Sequence, residues 1–256
     1  MNPVVPPTLP YFKSFVANRL RFSWQTGSLV IAGFSLVRFA LALHANVTKS
    51  YQVIAFVFVA MALLPFLLLT RAGRQRIGVT WPTRWAGVLL SGLLGFASCT
   101  VLFFLAKLVF GLGAGNPLVY ISHTYTKLPP ALSHADRLAY FLIFSATSMV
   151  FSPIGEELFY RGFVHECFVP RVGERRAALV DSAAFALVHL AHFGLVYRAG
   201  GWHWLPGPAL LWVTSLFGTC LLFSLARAQS GSVVGAMVAH ALFNLTMNYY
   251  IFYHIL

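Results

Sequence analysis

The chain has 256 residues, of which 59% are hydrophobic and 9% charged, with a formal net charge of +12. Soluble domains carry roughly 25% charged residues, so this composition excludes one and points to an all-α, polytopic transmembrane helix bundle. The basic residues stand in loops beside apolar runs, which membrane orientation explains, so the charge gives no reason to expect nucleic acid as a partner.

In chain order, residues 1–26 are Pro-rich and then mix Phe12, Phe15, Leu20 and Phe22 with Lys13, Arg19 and Arg21, as expected of a basic interfacial segment. Apolar runs follow at about 27–45, 51–70, 85–113, 138–168, 177–197, 207–226 and 231–254. Several approach the ~20 residues that cross a bilayer as helix. They predict about seven spans, six to eight if the third and fourth divide differently. Residues 27–137 read as N-terminal spans with a polar loop at 116–136, and 138–256 as the functional core, all within one membrane domain. Cys99, Cys167 and Cys220 lie far apart and read as buried thiols.

Placing the N-terminus in the cytoplasm puts eleven Lys and Arg residues in inside segments and four outside. The outside four are Lys49, Lys127, Arg137 and Arg198; the other three, Arg38, Lys107 and Arg161, fall within spans. That asymmetry predicts a cytoplasmic N-terminus. The compact chain suggests a bacterial inner membrane.

Acidic residues number six: Asp136, Glu156, Glu157, Glu166, Glu174 and Asp181. Two are neighbours in "SPIGEELFYRGFV" (152–164), in or near a span. An ionised group at the centre of a span costs on the order of 3 kcal/mol, so the pair needs partners. Glu157 and Arg161 stand at i and i+4, with the acid N-terminal, the favourable order for an ion pair. Glu156 is turned about 100° from Glu157 and has no cation at that spacing on its own helix. Burial and a like-charged neighbour are the two effects that bring a carboxyl into general-base range. A structural polar pair that locks helix packing is the plainer reading of E-x-x-x-R alone.

Two other spans carry polar groups. "FALVHLAHF" contains His189 and His192, and "GAMVAHALFNLTMN" places His240, Asn244 and Asn248 four residues apart on one face. Such a stripe is expected to face the bundle interior. Counting ~1.5 Å per residue puts Glu156, His189 and His240 about 20, 18 and 14 Å below the cytoplasmic ends of their helices. One polar layer can therefore hold all three. A carboxylate with a histidine beside it suits activation of water, and a His/Asn pair suits stabilisation of an oxyanion. Ser152, one turn before Glu156, is the nearest nucleophile for a covalent route. A site of two histidines and a glutamate (Glu156, His189 and His240) would also suit zinc with an open position.

"EELFYR", "FALVH" and "HALFN", in this order on separate spans, resemble the motifs of the CPBP family, the CAAX-protease and bacteriocin-processing (Abi) proteins that include type II CAAX prenyl endopeptidases. The resemblance covers about 138–254, and the earlier spans share only hydrophobicity. Each motif is short; three in this order are specific. The resemblance implies a glutamate-type intramembrane endopeptidase. Glu156 would be its base, His189 the partner of that base, and His240 with Asn244 the oxyanion site. Glu157 and Arg161 would be supporting residues, with Phe185 packed beside the site. His192 and Asn248 match no motif and read as structural. The expected partners are a peptide or membrane-protein substrate and the lipid bilayer. No cofactor is expected unless zinc is used. A non-catalytic peptide-binding or immunity protein, and a transporter with an intramembrane carboxylate relay, are the other readings. Substrate identity, its prenylation and the oligomeric state are not readable from these residues.

Overall fold

The structure, a computed structural model, describes residues 10–125, 128, 129 and 131–256. Residues 1–9 of the expected interfacial segment, and 126, 127 and 130 of the polar loop, lie outside the described residues. After one helical turn, α1 (Ser14–Ala17), come α2 (Trp24–Thr48), α3 (Ile54–Leu68), the short α4 (Arg71–Arg76), α5 (Trp85–Phe110) and α6 (Pro117–Ser122). Then follow α7 (His134–Glu157), a wider π-helical turn (Leu158–Val164), α8 (His165–Val188) and a 3-10 turn (His189–Ala191). The hairpin β1 (Leu195–Arg198) and β2 (Gly201–Trp204) precedes α9 (Pro206–Ser230), α10 (Val233–Tyr250) and a final π turn (Ile251–Ile255).

All seven apolar segments contribute helix, and the protein is an integral membrane helix bundle. Among the described residues, α2, α5, α9 and the merged stretch His134–Ala191 are long and apolar enough to cross a bilayer, and α3 is a shorter apolar helix. The merged stretch is two helices, because Gly173 has φ +77° and breaks the helical path. That conformation suits glycine, which has no Cβ to clash. The loop expected at 169–176 is thus reduced to a break flanked by Arg171, Arg175 and Arg176.

The fifth expected span, 177–197, also needs correction. Helix ends at Val188, and Leu195–Tyr197 belong to a strand instead. Ala199 and Gly200 both have positive φ and join Arg198 to Gly201 in a two-residue hairpin turn. The N-terminal segment also packs onto the bundle. Phe12 is buried, bridges to Leu69, and packs against Phe22 and Phe163.

The basic connections meet at one end of the bundle. Arg76 Nε and Arg227 Nη2 both donate to Glu166, at 3.2 and 3.0 Å. Arg84 donates to the carbonyl of Ala228 at 2.6 Å, and Arg171 lies over the ring of Trp24. At the opposite end Tyr51 donates to Asn46, and a second pair is formed by Tyr125 and Asn248. There Asn46 donates to Ala191 O at 2.8 Å, and Tyr125 donates to Asn248 at 2.5 Å. The main core lies among α5, α9 and α10, where Phe103 stacks on Tyr250 at 4.0 Å and Phe223 and Phe243 are buried. A second cluster of Val57, Met61, Phe159, Tyr160 and Phe185 lies near the polar groups of α7.

Helices α5 and α10 approach closely at Gly95, where an added Cβ would collide with the backbone of Ala239. Overpacking a tight contact costs about 1–3 kcal/mol. Gly95→Leu should therefore lower the melting temperature in detergent, whereas Gly33→Ala, with open space around it, should leave it unchanged or raise it. Equal melting temperatures for Gly95→Leu and wild type would refute the close contact.

Candidate active site

Glu156, His189, His240 and Asn244 line one cavity of about 420 Å³. The volume lies within the range of small-ligand and peptide-side-chain sites. The wall is completed by Phe185, Phe223, Trp212, Leu216 and other apolar side chains, with Ser148, Ser152 and His192 among the polar ones. The four groups converge because α7, the turn that ends α8, and α10 bring their polar positions to one depth in the bundle.

The two neighbouring glutamates do have different partners, as their rotation around α7 predicts. Glu157 is buried and its Oε2 lies 3.3 Å from Arg161 Nε. Asp181 Oδ1 is a further partner of the same nitrogen, at 3.8 Å. Arg161 also lies over the ring of Phe185, 4.8 Å from its centroid. Asp181 in turn meets Nδ1 of His165 at 2.8 Å, and Nε2 of that histidine meets Glu174 at 2.8 Å. A polar chain thus runs from the solvent-exposed Glu174 beside the Gly173 break to the buried Glu157.

Glu156 has no cation on its own helix, as expected, and finds one on another. Nη1 of Arg38, from α2, donates to Oε1 of Glu156. The partner comes from a different helix, 118 residues earlier, so no spacing within α7 reveals it. The other oxygen, Oε2, accepts from the Ser152 hydroxyl at 2.5 Å. It also lies 3.8 Å from Nε2 of His240. Ser152 is therefore tied to the carboxylate it precedes by one turn.

Hydrogen bonds orient both histidines and fix the tautomer of His189. Phe185 O lies 2.7 Å from Nδ1 of His189 and can only accept, so Nδ1 carries the proton and Nε2 presents a lone pair. That lone pair meets Nη2 of Arg38 at 2.9 Å. His189 and Glu156 are thus joined through a guanidinium rather than by a direct bond. In the same way Nδ1 of His240 donates to Oε1 of Glu157 at 2.8 Å, which turns its Nε2 toward the cavity. Nδ2 of Asn244 donates to the carbonyl of Ser148 at 2.9 Å and retains a second N–H.

The two residues outside the motifs behave differently from each other. Asn248 is fully buried and binds both Tyr125 and Ser148, a structural tie. His192 lines the cavity, with its ring 5.3 Å from that of His189 and no hydrogen-bond partner at Nε2. Among the described residues no three His, Cys, Asp or Glu side chains are gathered to hold a metal ion. Glu156 and His189, two of the three residues weighed for zinc, both direct atoms at the Arg38 cation. That donor set does not fit a second cation between them.

Residues 138–246 match the family model described as type II CAAX prenyl endopeptidase Rce1-like. This segment is Rce1-like. The match spans all three motifs and agrees with the family that they resemble. At the family level it supports a CAAX-type intramembrane protease. No curated protein and no solved structure matches the chain.

The Rce1-like segment contains Glu156, Glu157, Arg161, Phe185, His189, His240 and Asn244, whereas Arg38 lies outside it. Arg38 is the site residue that sequence reasoning left unassigned. Its signal was present, since an ionisable residue inside an apolar span marks a functional position by default. Loss of one partner from a buried ion pair costs about 3–5 kcal/mol. Arg161→Met strands Glu157 and Asp181, and should lower the detergent melting temperature far more than Arg175→Met at the exposed Gly173 break. Comparable melting curves for the two variants would contradict a buried Arg161 pair.

Proposed function

We propose that the cavity hydrolyses a peptide bond in a membrane-embedded or membrane-proximal segment, with Glu156 as general base. The observation that carries this reading is the convergence on one apolar cavity of a buried carboxylate and two histidines, each oriented by a hydrogen bond at Nδ1. Oε2 of Glu156 keeps a free lone pair beside the Ser152 hydroxyl. Water bound there gives its proton to Oε2 as its oxygen attacks the peptide carbonyl carbon. Negative charge then develops on the carbonyl oxygen. His240, held at Nδ1 by Glu157, stabilises that charge when its Nε2 also carries a proton and donates to the oxygen. The second N–H of Asn244 is a further donor. Collapse of the tetrahedral intermediate breaks the C–N bond, and the proton on Glu156 passes to the leaving amine.

His189 acts on the same base through its position beside Arg38 rather than by direct contact. In this mechanism Ser152 orients the carboxylate and forms no acyl intermediate. No cofactor is required. The substrate is a peptide or membrane-protein segment, and the apolar wall of the cavity favours an apolar one.

A general base contributes about 10²–10⁴-fold, so Glu156→Gln should abolish detectable cleavage. New peptide termini are compared, by N-terminal enrichment and mass spectrometry, in membranes holding wild type or Glu156→Gln, with and without a chelator. Termini specific to wild type and insensitive to chelator support the proposal. Loss with chelator, repeated on purified protein, favours zinc. Equal termini from both proteins favour a peptide-binding role.

The proposed orientation places the arginine-rich end in the cytoplasm of a bacterial inner membrane. Arg175→Cys should then react with a membrane-impermeant maleimide in inverted vesicles and not in intact cells. The native cysteines are buried and should stay silent. Labelling in intact cells would reverse the orientation.

A further inference from the structure

Arg38 stands in the middle of α2, within the apolar run "IAGFSLVRFALAL", and is 1% exposed. An arginine at such a depth is costly unless its charge and donors are met. Its guanidinium meets two of the proposed reaction groups at once, Nη1 on Glu156 and Nη2 on His189. The aromatic rings of Phe58 and Phe185 lie 5.3 and 6.0 Å from its Cζ. Nε has no partner. The fork therefore spends two of its three nitrogens on Glu156 and His189, and Arg38 lines the cavity with them.

The two acceptors fall on the same planar group, which an ammonium cannot reproduce. A guanidinium holds two acceptors in a fixed fork, whereas a lysine nitrogen is a point charge on a flexible stem. The fork also divides the carboxylate. Oε1 is held by Arg38, and Oε2 is left to Ser152 and the cavity. Without the cation, Glu156 would be an unpaired charge in an apolar interior, and such a group neutralises itself by taking a proton. A carboxyl already carrying a proton accepts none from water.

We propose that Arg38 is a positioning residue of the hydrolytic centre, which keeps Glu156 ionised, aims its Oε2 at the water, and fixes His189 beside it. This rests on the hydrolytic reading above. It adds a part that the Rce1-like segment lacks: the centre is completed by α2, which precedes residues 138–246. Glu156 supplies the lone pair, and Arg38 sets which oxygen offers it and in which charge state.

The test uses purified full-length wild type, Arg38→Lys, Arg38→Met, Arg38→Gln, Glu156→Gln and the double variant Arg38→Met/Glu156→Gln in lipid vesicles. The substrate is a reporter peptide that contains a wild-type-specific cleavage site from the terminus comparison. Arg38→Met and Arg38→Gln should lower kcat by about a hundredfold or more, with KM within about threefold of wild type. Arg38→Lys should retain an intermediate kcat, because an ammonium restores the charge and loses the fork. Difference infrared spectra should show a protonated carboxyl band in Arg38→Met. The band should be absent from wild type, Arg38→Lys and the double variant. A purely structural arginine predicts no such band, and parallel losses in Arg38→Lys and Arg38→Met that follow their melting temperatures.

Activity of Arg38→Met within threefold of wild type overturns the proposal, as does a rise in KM at unchanged kcat. So does the absence of the carboxyl band. Should Arg38→Met fail to accumulate, Arg38→Gln against Arg38→Lys decides the same points. If Glu156→Gln is as active as wild type, or wild type cleaves nothing, the hydrolytic reading itself fails. The infrared comparison then decides the link between Arg38 and the charge of Glu156 alone: a new band supports it and none overturns it.

Discussion

Charge buried in an apolar bundle is the constraint on which the rest of this structure depends. Arg38, Glu156, Glu157, Arg161 and Asp181 are all essentially inaccessible, at a depth where one unpaired charge costs several kcal/mol. They persist as two linked sets, Arg38 with Glu156 and Arg161 with Glu157 and Asp181. Each set crosses between chain segments. The polar contacts therefore fix how α2, α7, α8 and the π turn sit against one another, which apolar packing alone leaves loosely specified.

The same pairing separates the roles of two adjacent carboxylates. Glu157 faces Arg161 and passes its second oxygen to Nδ1 of His240, so it orients the histidine. Glu156 faces Arg38 and Ser152 and keeps a lone pair toward the cavity. Neighbouring positions on an α-helix differ by about 100°, and that rotation is enough to give one acid a supporting place and the other an edge on the cavity. The wider turn that follows, Leu158–Val164, carries Arg161 back beneath Glu157. Such turns are often found at functional sites.

An apolar setting also makes each hydrogen bond informative. Phe185 O and Glu157 act as acceptors toward one nitrogen of each histidine, so the opposite nitrogen of each is turned to the interior of the site. Donors held in advance, in a place that excludes bulk water, stabilise developing charge more strongly than they would in water. The surrounding aromatics serve that exclusion: Phe185 stacks on His189 at 4.3 Å and Phe223 on His240 at 5.1 Å.

Sequence by itself determined the membrane-helical class, the order of the apolar helices, and the three groups that meet at the cavity. Composition, the 3.6-residue period and i,i+4 spacing are local properties, and local properties are legible along a chain. Glu157 with Arg161 was legible for that reason. Tertiary structure alone decided that Arg38 neutralises Glu156, that Asp181 backs Arg161, and that His240 hydrogen-bonds to Glu157. It also decided that Arg38 stands between Glu156 and His189, and that the helix breaks at Gly173. Arg38 and Glu156 are 118 residues apart. No periodicity couples positions so distant; only the packing of one helix against another chooses which buried acid meets which buried cation.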